Sequence, residues 1–292
     1  MNRFLFSLFL AAACTALQAQ PAADKQIDIF GQKIHYVEAG VGPTVILLHG
    51  LGGDISNWGQ NLPVLAAKYH VFALDQIGFG KSDKPMINYR VQTLVDFLDS
   101  FCRKLEITKA TVVGNSLGGW TAMAFALEHP EKVSRLVLVD SAGYSFAKEG
   151  RTVSRDLMLR LNASSIDDAK SVLSMILANK QMITEGLAEQ FLAQHLARND
   201  GYTINAFIDS ILRGEDFVDG KLGAIKVPTL IVWGREDLLV PLNSGNMLAH
   251  DIGGSELVVL DRCGHVPMLE CAQPFNAAVL KFLAAEGMQS SK

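Results

Sequence analysis

A serine, a histidine and an aspartate occupy positions from which they could act together. Ser116 lies in Gly114-Asn115-Ser116-Leu117-Gly118-Gly119, after a β-rich run at 110–113 and before a helical pattern. A very tight strand-to-helix turn strains the serine backbone, and side chains two residues either side would collide, so glycine is required at 114 and 118. The turn lifts the hydroxyl out of the sheet, beside the free N–H groups that open the next helix. A serine hydroxyl is a poor nucleophile without a base. Gly264-His265 follows the run at 256–260, and Gly234-Arg235-Glu236-Asp237 follows the run at 229–232. Both lie just beyond C-terminal strand ends, where open α/β sheets place their sites. His265 is expected to take the Ser116 proton and deliver it to the leaving group, with Asp237 fixing the imidazole tautomer. The rival for that acid is Asp140, at the end of the run at 135–139. A tetrahedral intermediate also needs donors for its oxyanion. The backbone N–H groups of Leu51, in His49-Gly50-Leu51-Gly52-Gly53, and of Leu117 are the expected pair. Gly50, Trp58 and Val266 are expected to border the substrate, His49 to brace its loop, and Asp75 and Asp83 to cap loop N–H groups.

The elements that would hold these residues alternate along the chain. Apolar, β-rich runs at 33–37, 44–48, 70–74, 110–113, 135–139, 229–232 and 256–260 are separated by helical patterns such as 93–105, 120–128 and 274–283. Continuous apolar runs suit strands covered on both faces, and the alternation predicts an α/β fold with a mainly parallel sheet. The alternation breaks at 146–222, where helical patterns follow one another: 165–180, opened by Ser165 and Asp168 as a capping pair, one around Leu187 to Leu196, and 202–213. This stretch is read as a helical lobe inserted between a first core part at 20–145 and a second at 223–292. Met158, Leu173, Met175 and Phe191 are expected to form its core, with a subset lining a pocket, and His195 to be a packing residue. With 292 residues, one large domain carrying such a lobe is the expected size class. The formal net charge of −4 leaves no basic surplus for phosphates, which argues against nucleic-acid partners. No apolar run reaches the roughly 18 residues that span a bilayer. The cysteines and histidines show no zinc-ligand spacing, and no metal or organic cofactor is implied.

Five motifs in order, LLHGLGG at 47–53, DQIGFGKSD at 75–83, GNSLGG at 114–119, GREDLLVP at 234–241 and CGHVPMLE at 263–270, resemble the α/β-hydrolase superfamily from about Ile27 onward. The resemblance implies an eight-stranded, mainly parallel sheet flanked by helices, with 146–222 as the cap. It implies a serine hydrolase with the triad Ser116, Asp237 and His265. GNSLGG and the CGH turn are similar both to capped carboxylesterases and small lipases and to meta-cleavage-product hydrolases, which cleave carbon–carbon bonds in vinylogous diketones. The latter usually carry Trp after the catalytic His and a substrate-binding Arg in the cap. Here Val266 follows His265, and Arg151, Arg155 and Arg160 are the early cap arginines. On that departure the expected activity is hydrolysis of a small-molecule carboxylic ester with an apolar acyl or aryl group. The alternatives are carbon–carbon hydrolysis and, further off, a non-catalytic ligand-binding protein on the same fold.

The chain begins Met1-Asn2-Arg3, an uncharged apolar stretch at 4–13 and a small, polar stretch at 14–20. This is the layout of a signal peptide, expected to be cleaved after Ala19 or after Ala16. A lipid anchor on Cys14 and a buried N-terminal helix are the rival readings. The expected location is periplasmic or secreted. Of the remaining cysteines, Cys102, Cys263 and Cys271, the last two stand close enough in sequence to pair, but the expectation is three free, buried thiols.

Overall fold

The computed structural model describes residues 22–285. The expected leader at 1–19 and the Cys14 anchor lie outside them. Eight strands form one sheet: β1 Ala23–Ile29, β2 Gln32–Ala39, β3 Thr44–Leu48, β4 His70–Leu74, β5 Ala110–Asn115, β6 Val133–Val139, β7 Thr229–Gly234 and β8 Glu256–Leu260. Their order is β1-β2-β4-β3-β5-β6-β7-β8. The β1–β2 and β2–β4 pairs are antiparallel and the other five are parallel. The seven expected strands are present; the eighth, β1, has little apolar content and was missed. It joins β2 through Phe30 and Gly31, both at positive φ (54° and 76°).

The parallel strands are apolar throughout because both faces are covered. Along β3, Ile46 and Leu48 pack into one core with α2 (Val91–Lys104), α3 (Leu117–Glu128) and part of α8 (Leu242–Asp251). Val45 and Leu47, pointing the other way, pack into a second core with α1 (Leu62–Ala66) and α10 (Ala272–Ala284). The helix α2 buries Val91, Leu94, Val95, Leu98, Phe101 and Cys102, a helical spacing that places one stripe on the sheet.

Between β6 and β7 the described residues contain helices and no strand: α4 Arg155–Leu159, α5 Ile166–Ile176, α6 Glu185–Arg198 and α7 Gly201–Leu212. Three of them begin at a hydroxyl cap, of which the sequence pointed to Ser165. Ser154, Ser165 and Thr184 each accept a backbone N–H three residues on. The Asp168 carboxylate reaches back to the Ser164 N–H at 3.1 Å, one residue earlier than a reciprocal capping pair requires. The lobe is fastened to the sheet layer: the Trp120 indole N–H donates to the Asp216 carbonyl at 2.9 Å and its ring stacks on Phe217 at 4.9 Å.

Candidate active site

The C-terminal ends of β3, β5, β6, β7 and β8 converge under the helical lobe. The turn after β5 is the tightest element there. Ser116 has φ 55° and ψ −117° and stands at the N-terminus of α3. Such a conformation is strained for a side-chain-bearing residue, and the glycines around it make it possible. A Cβ on Gly114 would lie 2.1 Å from the Gly118 carbonyl oxygen, and one on Gly118 would lie 2.3 Å from the Leu48 carbonyl oxygen. The backbone is held by Ser116 N–H donating to the Val139 carbonyl at 3.0 Å.

His265 hangs from the loop after β8. Its backbone N–H donates to the Ile176 carbonyl at the end of α5 (2.8 Å), and its carbonyl accepts from the Asn115 amide at 3.0 Å. Its Nδ1 meets Asp237 Oδ2 at 2.7 Å. The other Asp237 oxygen accepts the N–H groups of Leu239 and Val240, at 2.8 and 3.0 Å. The Asp237 side chain is fully buried and that of His265 is 5% exposed. His265 and Ser116 line the same cavity. Among the described residues, no hydrogen bond joins Ser116 to His265; contacts of this kind are often long before substrate binds.

Asp140, the rival acid, is fully buried at the end of β6 with φ 42°. Its Oδ1 accepts the Gly234 N–H at 2.9 Å, so it leaves the histidine to Asp237. Burial, and then the neighbouring Asp237 carboxylate, push its carboxyl well above the usual carboxylate range. Donor atoms of Asp140, Asp237 and His265 lie within 4.8 Å of one another, a spacing compatible with a metal site. The donor chemistry fits a proton-handling cluster better, because both Asp237 oxygens and Asp140 Oδ1 already accept hydrogen bonds.

The loop after β3 supplies Gly50 and Leu51 to the cavity wall, which Leu117 also lines. A Cβ on Gly50 would approach Ser116 Cβ to 3.1 Å. His49 braces this loop: Nδ1–H donates to the Gly50 carbonyl at 2.8 Å and Nε2 accepts the Gln76 N–H at 3.1 Å. That arrangement needs a neutral ring, and burial holds the His49 pKa below its usual value.

The cavity holds about 640 Å³. Its lobe side is mainly apolar, and Met158, Leu173, Met175 and Phe191 all reach it, as does Val266. Trp58 does not. It is fully buried and packs its ring 6.4 Å from Phe275, because the single 3-10 turn at Ile55–Trp58 aims it into the second core. His195 packs against Phe191, as a packing residue should, but also borders the cavity. Of the early arginines, Arg151 lines the cavity and donates to Glu149 at 3.0 Å, while Arg155 and Arg160 are exposed. Sequence reasoning missed Arg198, at the end of α6. It lines the cavity, donates to Asp54 at 2.7 Å and reaches the Gly52 carbonyl at 3.3 Å. Cys263 and Cys271, expected as free thiols, stand side by side with their Cα atoms 6.1 Å apart, a spacing that a disulfide can bridge. The loop folds back through α9 (Pro267–Glu270) and brings them together.

Residues 43–271 match the family model described as alpha/beta hydrolase fold, and the chain belongs to that family. It is a hydrolase. It is 34% identical to a 2-hydroxy-6-oxononadienedioate/2-hydroxy-6-oxononatrienedioate hydrolase of Paraburkholderia xenovorans, over 86% of this chain and 91% of that one. A Klebsiella pneumoniae hydrolase of the same name is 37% identical, with the same coverage. Among solved structures, the meta-cleavage product hydrolase CumD from Pseudomonas fluorescens IP01 superposes with a TM-score of 0.78 at 31% identity, covering 89% of this chain and 97% of that one. These relatives overturn the expectation of an ester hydrolase and match the carbon–carbon alternative. The inference from Val266 fails because one wall residue does not define the reaction; the shape and charge of the whole cavity do.

Proposed function

We propose that the protein hydrolyses a carbon–carbon bond in a vinylogous diketone, the chemistry of meta-cleavage products, with Ser116, His265 and Asp237 as its triad. The observation that carries this reading is the buried Asp237–His265 pair opening onto the same cavity as the strained Ser116, in a chain whose curated relatives bear that hydrolase name. His265 takes the Ser116 proton as the hydroxyl oxygen adds to the ketone carbon. The negative oxygen that forms faces the N–H groups of Leu51 and Leu117. The carbon–carbon bond then breaks, and its electron pair leaves on a carbon whose charge spreads over the conjugated enolate. That carbon receives the proton held by His265. Water, activated by His265, then frees the acyl group as a carboxylic acid. In sum, one carbon–carbon bond and one O–H bond of water break, and one C–O and one C–H bond form.

A substrate carboxylate needs a cation on the wall. Arg151 and Arg198 are both there, each already facing an acid, so the substrate competes with Glu149 or Asp54. The apolar lobe side suits an alkyl or aryl group at the other end. A leader at 1–19 would carry the chain out of the cytoplasm. The test is loss of the yellow dienolate absorbance of chemically prepared diketones, with Ser116→Ala as control. Turnover by the native chain and its absence in the variant are expected. A folded native protein that leaves every diketone intact overturns the reading.

A further inference from the structure

Asp140 is a buried carboxyl that the triad does not use, and its hydrogen bonding is incomplete. Oδ1 accepts the Gly234 N–H, whereas Oδ2 has no partner among the described residues. An unpaired oxygen in a dry core costs free energy comparable to a lost hydrogen bond. Its neighbours within 4.8 Å are the acids and bases of the site itself, Asp237 from the turn after β7 and His265 from the loop after β8. Asp237 is acceptor-only in its ionised form, and it already accepts two backbone N–H groups and the His265 ring. Two ionised carboxylates at this spacing repel, and burial strengthens that repulsion. A proton on Asp140 Oδ2 removes the repulsion and makes that oxygen a donor.

We propose that Asp140 is a positioning residue that stays protonated and donates its hydroxyl hydrogen to Asp237, fixing the carboxylate on which His265 turns. The proton stays on Asp140 throughout the cycle. Its role is to hold Asp237 in place and draw charge from it, so that the proton taken from Ser116 rests on the imidazole. The direction of the Asp140 pKa, raised first by burial and then by Asp237, agrees with this. The inference rests on the triad proposed above but not on which bond that triad cleaves.

Two measurements test it without a diketone. Infrared difference spectra between the native protein and Asp140→Asn, at about pH 8 where exposed carboxyls are ionised, should show one protonated carboxyl band lost in the variant. The rate at which a fluorophosphonate labels Ser116 should fall less than about threefold in Asp140→Asn, whose amide keeps a donor to Asp237 and an acceptor for Gly234. In Asp140→Ala, or Asp140→Ser where the alanine variant folds poorly, it should fall roughly tenfold or more. Absence of the band from the native protein, or its persistence in Asp140→Asn, overturns the proposal. So does an Asp140→Asn variant as slow as Asp237→Asn, which would make Asp140 an ionised triad acid. Failure of the diketone assay with these results intact refutes only the carbon–carbon reading.

Discussion

Two buried histidines in this molecule hold an aspartate through Nδ1 at the same 2.7 Å: His265 with Asp237, and His35 with Asp75. Both rings are nearly closed to solvent, at 5% and 4% side-chain exposure. What separates them is the far nitrogen. Nε2 of His35 is occupied by Asp24 Oδ1 at 2.6 Å, and Asp75 gathers the N–H groups of Ile55 and Lys81 around the same point. That histidine is a knot tying β2 to the loops after β3 and β4. Nε2 of His265 has no partner among the described residues, and its ring borders a cavity that also holds a serine hydroxyl. The same pair is therefore a structural tie in one place and a candidate general base in the other. The difference is a free nitrogen with a nucleophile in front of it.

The sharpest way to break that comparison is to exchange the consequences. His265→Gln should lower turnover by at least about 10⁴-fold while leaving the unfolding midpoint nearly unchanged. His35→Gln should do the reverse, keeping turnover and fluorophosphonate labelling within about twofold and costing roughly 3 kcal/mol in urea unfolding, because Asp75 would be left buried without its main partner. If His35→Gln slows labelling tenfold without unfolding the protein, the two regions are coupled and the division fails. A smaller effect concerns the wall of the cavity. Arg198→Ala should raise KM roughly tenfold for a substrate that carries a carboxylate, with kcat less affected, if that cation binds the ground state and the transition state alike. An unchanged KM would leave Arg151 as the cation for the substrate.

Much of the active pair was legible in the sequence because its constraints are local. Glycine at 114 and 118 is dictated by a turn that admits no Cβ, and the loop positions of His265 and Asp237 follow from strand ends. The structural pair was not legible. Asp24 lies in β1, whose side chains are mostly exposed and polar, so that strand has no apolar run to announce it. Its hairpin with β2 turns on Phe30 at positive φ, where the usual signal is Asn or Asp before Gly. The lobe shows the same limit. Periodicity identifies its helices, but which ends meet the cavity depends on how they dock, and so Arg198 at the last turn of α6 went unseen while Trp58 was assigned to a wall it never reaches. The closeness of Cys263 and Cys271 likewise depends on a loop reversal that spacing alone does not reveal.

The smallest effect asks what Asp24 contributes to the structural knot. Its carboxyl is held below the usual range, first by Lys81 and then by His35. A lowered carboxylate pKa stabilises the fold above the unfolded value of 3.8, and the contribution is lost as pH falls through the folded value. Asp24→Asn removes that contribution, so the gap between the two proteins in urea unfolding should be present near neutral pH and close in acid. Asp24 is 59% exposed, so solvent screening should limit the gap to about 0.5 kcal/mol. Asn at 24 keeps an amide against His35 Nε2, and the nearby Ser82 hydroxyl is already engaged, accepting the His35 backbone N–H and donating to the Asp75 carbonyl, so that ring gains no nucleophile. Fluorophosphonate should therefore still react at Ser116 alone. A second labelled residue near His35 would show that the comparison had assigned too much to the nucleophile.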